Sequence, residues 1–418
     1  MKTNNNSGVI LVAVVCFTAI TAILALGLLS ESGSQLKLAD RQVRLEQAFY
    51  VAEGGAERAV SCIANSGGNP PGVITGAIGN GTYNVSINQV GGGGGQTWYT
   101  ITSTGEVCGV KKNVIMTGVR QQTWARYAMW YNGSGGAIWI RGGERFAGPV
   151  HANCSIYMKE NPIFEALVST TANNWGPGSN TNNVQFMQGW QFNAPSQSMA
   201  SISFTSLLAN ASLVITGSSQ IALSGTNVLI TNGRRGWTTN TYPVPSNGLI
   251  YVRSTGAGTG TNEGTVSVGG TLDGRLSIAV DNNIHITNHV RYANTNITLG
   301  MTNTSDDALG LIANHDVVVR TSAPNNLEIF AHIIAAHPTL SYSHGFYVQN
   351  YSSRASSGFL NVYGGIVQFT RGAVGMGAGW RGFQKNYAFD TRFLTDPPPM
   401  YPTVNDIYQW SGWRDKSP

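Results

Sequence analysis

Acidic side chains are the first groups in this sequence that could perform acid–base chemistry. Asp306 and Asp307 are adjacent, so on a strand they would point to opposite faces. Glycoside cleavage instead needs two carboxylates that flank one bond. Asp273, Asp281 and Asp316 stand at the edges of predicted strands, where the capping of turns explains them more simply. We therefore expect no catalytic carboxylate pair.

Histidines are the next candidates, as metal ligands. His285 and His289 are four residues apart, but their segment alternates like a strand, which leaves them well separated on one face. His332 and His337 flank the end of an apolar strand, and neither pair has the accompanying glutamate of a helical zinc motif. The glycines of residues 375–382 mimic a nucleotide fingerprint without a strand–helix unit around them. We expect neither a metal ion nor a cofactor, and predict that the chain is not an enzyme.

Aromatic side chains are the more credible functional groups, and they crowd the C-terminal part of the chain: Trp380, Tyr387, Tyr401, Trp410 and Trp413. Exposed aromatic clusters favour contacts with proteins or glycans. Packing against the last strands of the fold is the alternative.

The first structural element that the sequence predicts is an uncharged apolar run from Val9 to Leu29. As a helix, it spans about 30 Å, the thickness of a bilayer's hydrocarbon core. The apolar region of a cleaved secretory signal is shorter and ends in small residues, so that alternative fits less well. Lys2 lies on the short side of the run and places the N-terminus in the cytoplasm.

Beyond the apolar run, the chain continues as an amphipathic helix. Its apolar residues recur at spacings of three, four and seven, at Leu38, Leu45, Phe49, Ala52, Ala56, Val60 and Ile63. The helix is predicted to stop near residues 65–68, because Pro70 and Pro71 prevent its resumption.

This N-terminal region resembles PilX-type minor pilins and, more loosely, the large minor pseudopilin of type II secretion. The resemblance rests on Gly8 before the apolar run, on Arg41-Gln42, and on the phrase Gln47-Ala-Phe-Tyr-Val-Ala-Glu53. It implies cleavage by a prepilin peptidase after Gly8, with Val9 as the mature N-terminus. Major pilins usually carry Glu at the fifth mature position, which is Ala13 here. In these families, that absence fits a subunit at or near a filament tip.

Composition indicates a β-rich extracytoplasmic protein. Of the 418 residues, 52 are Gly and only 11% are charged. The net charge of +5 is spread without a Lys/Arg cluster, so no nucleic-acid partner is expected.

The four cysteines suggest one disulfide. We name Cys62 and Cys108 as candidates to join the helix to the sheet that follows, with Cys154 as a rival partner. Cys16 lies inside the apolar run, and no Cys-x-x-Cys pair suggests a metal site.

Two kinds of β pattern follow the helix. Tyr83, Val85 and Ile87 alternate with polar residues, and glycines bound this and the following segments, which predicts an antiparallel meander. From about residue 123, short apolar phrases that open with Gly, Asn or Asp recur at irregular intervals. They favour a β-solenoid, specifically a right-handed parallel β-helix, with a jelly-roll sandwich as the alternative.

The predicted fold is thus mainly β with one long N-terminal α-helix. Its segments are a prepilin-type leader (1–8), a transmembrane or assembly helix (9–29), a pilin-like helix and meander (30–122), a β-solenoid ectodomain (123–395) and a Pro/Trp-rich C-terminal tail (396–418).

The function expected from this organisation is that of a structural minor pilin or pseudopilin-like subunit. It would belong to a type IV pilus or a related secretion filament, with a large β domain for capping, adhesion or cargo contact. Expected partners are other pilin subunits through the N-terminal helix, a prepilin peptidase, the bacterial inner membrane, and a glycan or cell-surface ligand. The ectodomain would be periplasmic, or extracellular after assembly. The alternative is a membrane-anchored β-helical carbohydrate-active enzyme or glycan-binding adhesin.

Overall fold

The computed structural model describes residues 7–66, 70–93, 96–134, 136–199, 202–254, 263–294, 305–336, 345–377 and 381–416. In these residues the protein is mainly β with one long N-terminal helix, as predicted. The chain forms two compact units. The first comprises Met1–Gly91, Thr97–Arg120 and Tyr408–Pro418, and the second comprises Gly92–Gln96 and Gln121–Ile407.

Helix α1 (Ser7–Asn65) opens the first unit and ends where the sequence predicted. Only its C-terminal part has a buried face, formed by Ala48, Val51, Ala52, Ala56, Ala59 and Ile63. The spacing of three and four residues puts these side chains in one stripe. Most of them are alanines, which bring the helix backbone close to the surface that it covers.

That surface is an antiparallel sheet of strands β1 (Val73–Ile78), β2 (Gly81–Gly93), β3 (Gln96–Val107) and β4 (Val110–Thr123), paired in chain order. The predicted meander is therefore confirmed. Tyr83, Val85 and Ile87 alternate inward along β2 and bury their side chains under the helix.

Gly105 of β3 marks the closest approach of helix and sheet. A β-carbon at this position would lie 2.2 Å from the Ala48 carbonyl oxygen and 2.5 Å from the Ala52 backbone nitrogen. Both atoms belong to the helix backbone and cannot rotate away. The helix can therefore pack this closely against the sheet only because residue 105 has no side chain.

The second unit begins with short strands: β5 (Met129–Ser134), β6 (Trp139–Ile140), β7 (Arg145–Phe146), β8 (Val150–Ala152), β9 (Tyr157–Met158), β10 (Ile163–Phe164), β11 (Val168–Thr170), β12 (Gln185–Phe186) and β13 (Trp190–Gln191). Helix α2 (Phe204–Asn210) follows, begun by a hydrogen bond from the Ser206 backbone N–H to the Ser203 hydroxyl.

Longer strands complete this unit: β14 (Leu213–Thr216), β15 (Ser219–Gly225), β16 (Asn227–Asn232), β17 (Thr238–Pro243), β18 (Leu249–Arg253), β19 (Val266–Leu272), β20 (Arg275–Val280), β21 (Ile284–Tyr292), β22 (Ala308–Ala313), β23 (Val317–Val319), β24 (Leu327–Ala335), β25 (Phe346–Val348), β26 (Ser356–Arg371), β27 (Gly375–Met376) and β28 (Arg381–Phe389). Short 3-10 helices cover Trp124–Arg126, Gly233–Arg235 and Thr391–Leu394.

Most pairings in the second unit are parallel and skip at least one strand of the chain. One parallel ladder runs β14-β18-β20-β22-β24-β26-β5-β8-β11-β13. A second runs β15-β19-β21-β23-β25. Because parallel ladders keep equivalent positions in line, the first ladder stacks one buried column: Ile250, Ile278, Leu311, Ile333, Ile366, Met129, Val150 and Val168.

A Pro-rich segment packs on the opposite face of the same ladder, at β20 and β24. Arg275 of β20 binds both carboxylate oxygens of Asp396, at 2.8 and 2.6 Å. Ser277 donates a hydrogen bond to the Pro399 carbonyl, and Tyr401 contacts His332 on β24. The first residues of the predicted C-terminal tail therefore pack on the second unit.

The end of the chain contains β29 (Thr403–Gln409) and β30 (Gly412–Lys416). β30 pairs antiparallel with β4 of the first unit, with Gly412 opposite Thr117 and Lys416 opposite Asn113. The Trp413 ring meets Phe49 of α1 edge-on, with 5.9 Å between ring centroids. The first unit is thus completed by residues from both ends of the sequence.

The close approach at Gly105 gives a stability prediction. Gly105→Ala forces its new methyl group into the α1 backbone and is expected to destabilise the first unit by about 1–3 kcal/mol. Hydrogen exchange of the full-length protein in detergent micelles measures this as faster exchange of amides 48–63. Gly72→Ala is the control, because a β-carbon there meets no atom within 4 Å. Equal exchange in the two variants would contradict the role assigned to Gly105.

Candidate functional site: the exposed N-terminal helix

The N-terminal part of α1 presents large apolar side chains that nothing in the described structure covers. Between Val9 and Leu29 their exposed fraction ranges from 53% at Val14 to 71% at Val9. By length and composition, this is a helix that could cross a membrane. So much exposed apolar surface is unfavourable in water, and a membrane or another protein removes that cost.

The polar side chains of this segment satisfy their hydrogen bonds within the helix. The Thr18 hydroxyl donates to the Val15 carbonyl at 2.9 Å, and the Thr21 hydroxyl donates to the Phe17 carbonyl at 3.0 Å. Backbone groups of a continuous helix are likewise paired internally. Beyond the first turn, whose N–H groups have no acceptor within the helix, no hydrogen-bonding group of the segment therefore needs water.

A second apolar feature continues along α1 beyond the bilayer-length run. Leu29, Leu36, Val43 and Tyr50 follow one another at intervals of seven residues, and all four are exposed. Seven residues bring a helical side chain back to within about 20° of its starting direction. Val43 precedes the buried Ala52 by nine residues, about 180° around the helix. We call these four residues the heptad stripe; at Val43 and Tyr50 it faces away from the sheet.

Beside the heptad stripe, this part of α1 also carries charged side chains. Asp40 and Arg44 form an exposed ion pair at 2.8 Å, one helical turn apart. Such exposed pairs contribute little to stability.

The predicted processing residues Gly8 and Val9 lie in the first turns of α1. Residues 1–6 of the predicted leader lie outside the described residues. Cleavage after Gly8 stays a prediction.

The disulfide candidates are not brought together. All four cysteines are free thiols in this structure. Cys108 directly follows Val107, the last residue of β3. Val107 lies near Val51 of α1, since a β-carbon placed on Gly81 would be 2.8 Å from a methyl group of each. Cys62 is eleven residues further along α1, or about 16 Å. A disulfide needs α-carbons within about 7 Å.

The acidic candidates have structural roles. Asp307 is fully buried, and its Oδ1 accepts a hydrogen bond from the Gly274 backbone N–H at 2.5 Å. The Asp316 Oδ1 accepts from the Gly345 N–H at 2.9 Å, and burial raises the pKa of this carboxyl. Both carboxylates hold turns.

The described histidine candidates are buried or hydrogen-bonded to other parts of the fold. Among the described residues no group of His, Cys, Asp and Glu could hold a metal ion. Burial, and secondarily the Arg320 charge, lower the pKa of His285 to about 4. The His332 Nε2 donates to the Tyr127 carbonyl at 3.0 Å, so its Nδ1 accepts from the Tyr401 hydroxyl at 2.6 Å. His337 lies outside the described residues.

The aromatic candidates divide between the two interpretations. Tyr387 and Tyr401 are buried, whereas Trp410 and Trp413 are nearly half exposed. Trp380 lies outside the described residues.

A cleft in the second unit contains a pair that the sequence did not reveal. Glu144, just before β7, accepts a hydrogen bond from Lys385 of β28, with 3.4 Å between the Glu144 Oε1 and the Lys385 Nζ. The two residues are 241 positions apart, so no spacing rule could have joined them. Only the folding of β6, β7 and β28 around one cleft makes them neighbours.

Comparison with known proteins does not assign the chain to a family. No family model matches it. No curated protein matches it either. Among solved structures, the crystal structure of the competence-associated pilin ComZ from Thermus thermophilus aligns with 89% of this chain and 97% of that chain. The sequence identity is 13% and the TM-score is 0.30, which does not establish a shared fold.

The buried histidine gives a prediction about pH. Burial lowers the pKa of His332 to about 3, whereas an unfolded histidine titrates near 6.5. Below pH 6.5 the unfolded chain therefore binds a proton that the native state does not, and stability falls as pH falls towards 3. Between pH 6.5 and 4 we expect the second unit to lose on the order of 3 kcal/mol from this group.

Urea unfolding across this pH range measures the effect in the wild type and in His332→Gln. The variant is expected to be less stable at pH 7 but to show a shallower loss on acidification. His289→Gln, at a half-buried position on β21, is the control and is expected to change the slope less. An unchanged slope in His332→Gln would be inconsistent with a neutral His332.

Proposed function

We propose that this chain is a structural, non-catalytic subunit of a type IV pilus or a related secretion filament, of the minor pilin type. The heptad stripe is the observation that carries the proposal. An exposed apolar row with a seven-residue period is one of the two apolar rows by which a helix packs along another. Its proposed occupant is the N-terminal helix of another filament subunit.

Before assembly, the segment Val9–Leu29 anchors the chain in the bacterial inner membrane. The N-terminus faces the cytoplasm and the β units lie outside. On assembly the same side chains exchange lipid for the helices of neighbouring subunits. Supporting this exchange, the segment's side chains are exposed and its hydroxyls are bonded within the helix.

Processing by a prepilin peptidase after Gly8 is part of the proposal. The mature chain would begin at Val9 and carry Ala13 at its fifth position. Without a carboxylate there, the subunit cannot make the usual charge contact with the amine of the subunit ahead. This favours a place at or near the filament tip and a PilX-type or large-pseudopilin role.

For the second unit we propose a right-handed parallel β-helix that caps the filament or contacts a surface or cargo. Its long parallel ladders and the stacked aliphatic column support this architecture. A jelly-roll sandwich would require antiparallel neighbours in their place. The engagement of Asp307 and Asp316 in turns supports a non-catalytic role.

The processing step is tested at the N-terminus. When the chain is co-expressed with a prepilin peptidase, the intact mass is expected to correspond to a protein that starts at Val9. Gly8→Val should leave the leader attached, while Gly33→Val in the exposed helix should be processed normally. A mature terminus beyond residue 30, or an intact Met1 terminus in the wild type, would overturn the proposal.

The heptad stripe is tested by placing a charge on it. Val43→Glu and Leu36→Glu are expected to lower recovery of the chain in sheared filaments, or in crosslinked complexes with other pilins, at least about tenfold, because a buried carboxylate is costly. Leu38→Glu is the matched control, since Leu38 is as exposed as Leu36 (65% against 68%) but lies outside the stripe. Equal losses in all three variants would show that the stripe has no special role.

A further inference from the structure

The second unit contains a cleft of about 1090 Å³ that the proposed assembly role does not use. Trp139 and Glu144 line one side, Lys385 and Gln384 of β28 line another, and Phe359 and Met376 add apolar surface. Phe359 and Met376 are each nearly half exposed although they are large and apolar. A cleft with apolar walls and a few convergent polar groups is the usual form of a small-molecule site.

The polar groups of this cleft have unused hydrogen-bonding capacity. Glu144 is 3% exposed, and its Oε1 accepts from Lys385 at 3.4 Å and from the Arg141 backbone N–H at 2.8 Å. Its Oε2 is buried and has no partner among the described residues. The Lys385 Nζ donates to the Trp139 carbonyl at 2.9 Å and to Glu144, which occupies two of its three protons.

A structural role alone does not account for this arrangement. A carboxylate oxygen buried without a partner costs folding free energy, as does an ammonium group removed from water. Burial lowers the pKa of Lys385 to about 8, although the Glu144 charge opposes this shift. The Lys385 side chain nevertheless keeps 18% of its surface exposed. Costly, under-satisfied polar groups in a cleft mark a candidate binding site.

The chemistry of the pair restricts the ligand. The Glu144 Oε2 needs a donor, whereas the remaining Lys385 proton needs an acceptor close by. Arg141 also lines the cleft, but its charge is paired with Glu160, with 3.5 Å between Arg141 Nε and Glu160 Oε1. A ligand carboxylate would be repelled by Glu144, and a ligand ammonium by Lys385. A peptide group has both functions, but in a trans amide the N–H and C=O point in opposite directions, so one amide cannot reach both. Neighbouring hydroxyls on a sugar ring can each donate and accept.

We propose that this cleft binds a neutral saccharide, with vicinal hydroxyls on Glu144 and Lys385 and the apolar face of the sugar against Phe359 and Met376. The site lies wholly within the second unit. It does not depend on the heptad stripe or on processing after Gly8, so either proposal can fail without the other.

The test uses the full-length protein in a detergent without a sugar headgroup. Its binding is measured on an array of neutral and acidic oligosaccharides printed beside unstructured pentapeptides, and the best ligand is then titrated by calorimetry. Glu144→Gln and Lys385→Met are each expected to weaken binding of a neutral saccharide at least about tenfold, the effect of losing a hydrogen bond to a charged group.

The first unit provides matched controls. Lys111 and Glu106 form a pair at 3.3 Å like that of the cleft, but both are well exposed. Glu106→Gln and Lys111→Met should therefore bind as the wild type does. If a cleft variant does not fold, hydrogen exchange of the wild type supplies the second readout, and amides 139–144 and 381–389 should be protected by the saccharide.

Three results would overturn the proposal. The first is binding to acidic saccharides or peptides alone, and the second is binding to nothing on the array. The third is a neutral saccharide that binds the cleft variants as well as the wild type and does not protect amides 139–144 and 381–389. The last would assign Glu144 and Lys385 a purely structural role.

Discussion

One continuous helix has to satisfy two different environments, and the architecture of the first unit follows from that constraint. The C-terminal part of α1 is fixed to the sheet by alanines and by the absence of a side chain at Gly105. The N-terminal part keeps its apolar side chains exposed. Because a helix of this length satisfies its own backbone hydrogen bonds, it can leave the sheet and continue alone.

Side-chain size separates these two parts. Alanines on the packed face permit close approach of two backbones, where dispersion contacts accumulate. Bulky Val, Ile, Leu and Phe side chains on the free part maximise the apolar area that lipid or another helix can cover. The heptad stripe extends that second character onto the packed part, on the side opposite the sheet. Two surfaces of one helix thus serve folding and association separately.

In the second unit, parallel pairing sets the interior. Each ladder aligns equivalent positions, so the sequence must supply an aliphatic residue at the same point of every strand, and the column through Ile278 and Ile333 meets this requirement. On the opposite face of the first ladder, the segment from Asp390 to Pro402 covers β20 and β24. Arg275, Ser277 and His332 fasten that segment through hydrogen bonds. Proline suits it, because a backbone with few free N–H groups can lie across a sheet face without pairing to it.

The sequence by itself determined the features that depend on local periodicity. The apolar run follows from an uncharged stretch of bilayer length, and the helix end at Asn65 follows from the prolines shortly after it. The amphipathic helix and the alternation along β2 follow from spacings of 3.6 and 2 residues. Tertiary structure alone decided the features that join distant residues. β30 completes the first unit, and Lys385 contacts Glu144. Cys62 of α1 lies too far from Cys108, at the end of β3, to form a disulfide. Such contacts depend on how elements stack rather than on local spacing, so no window of sequence contains them.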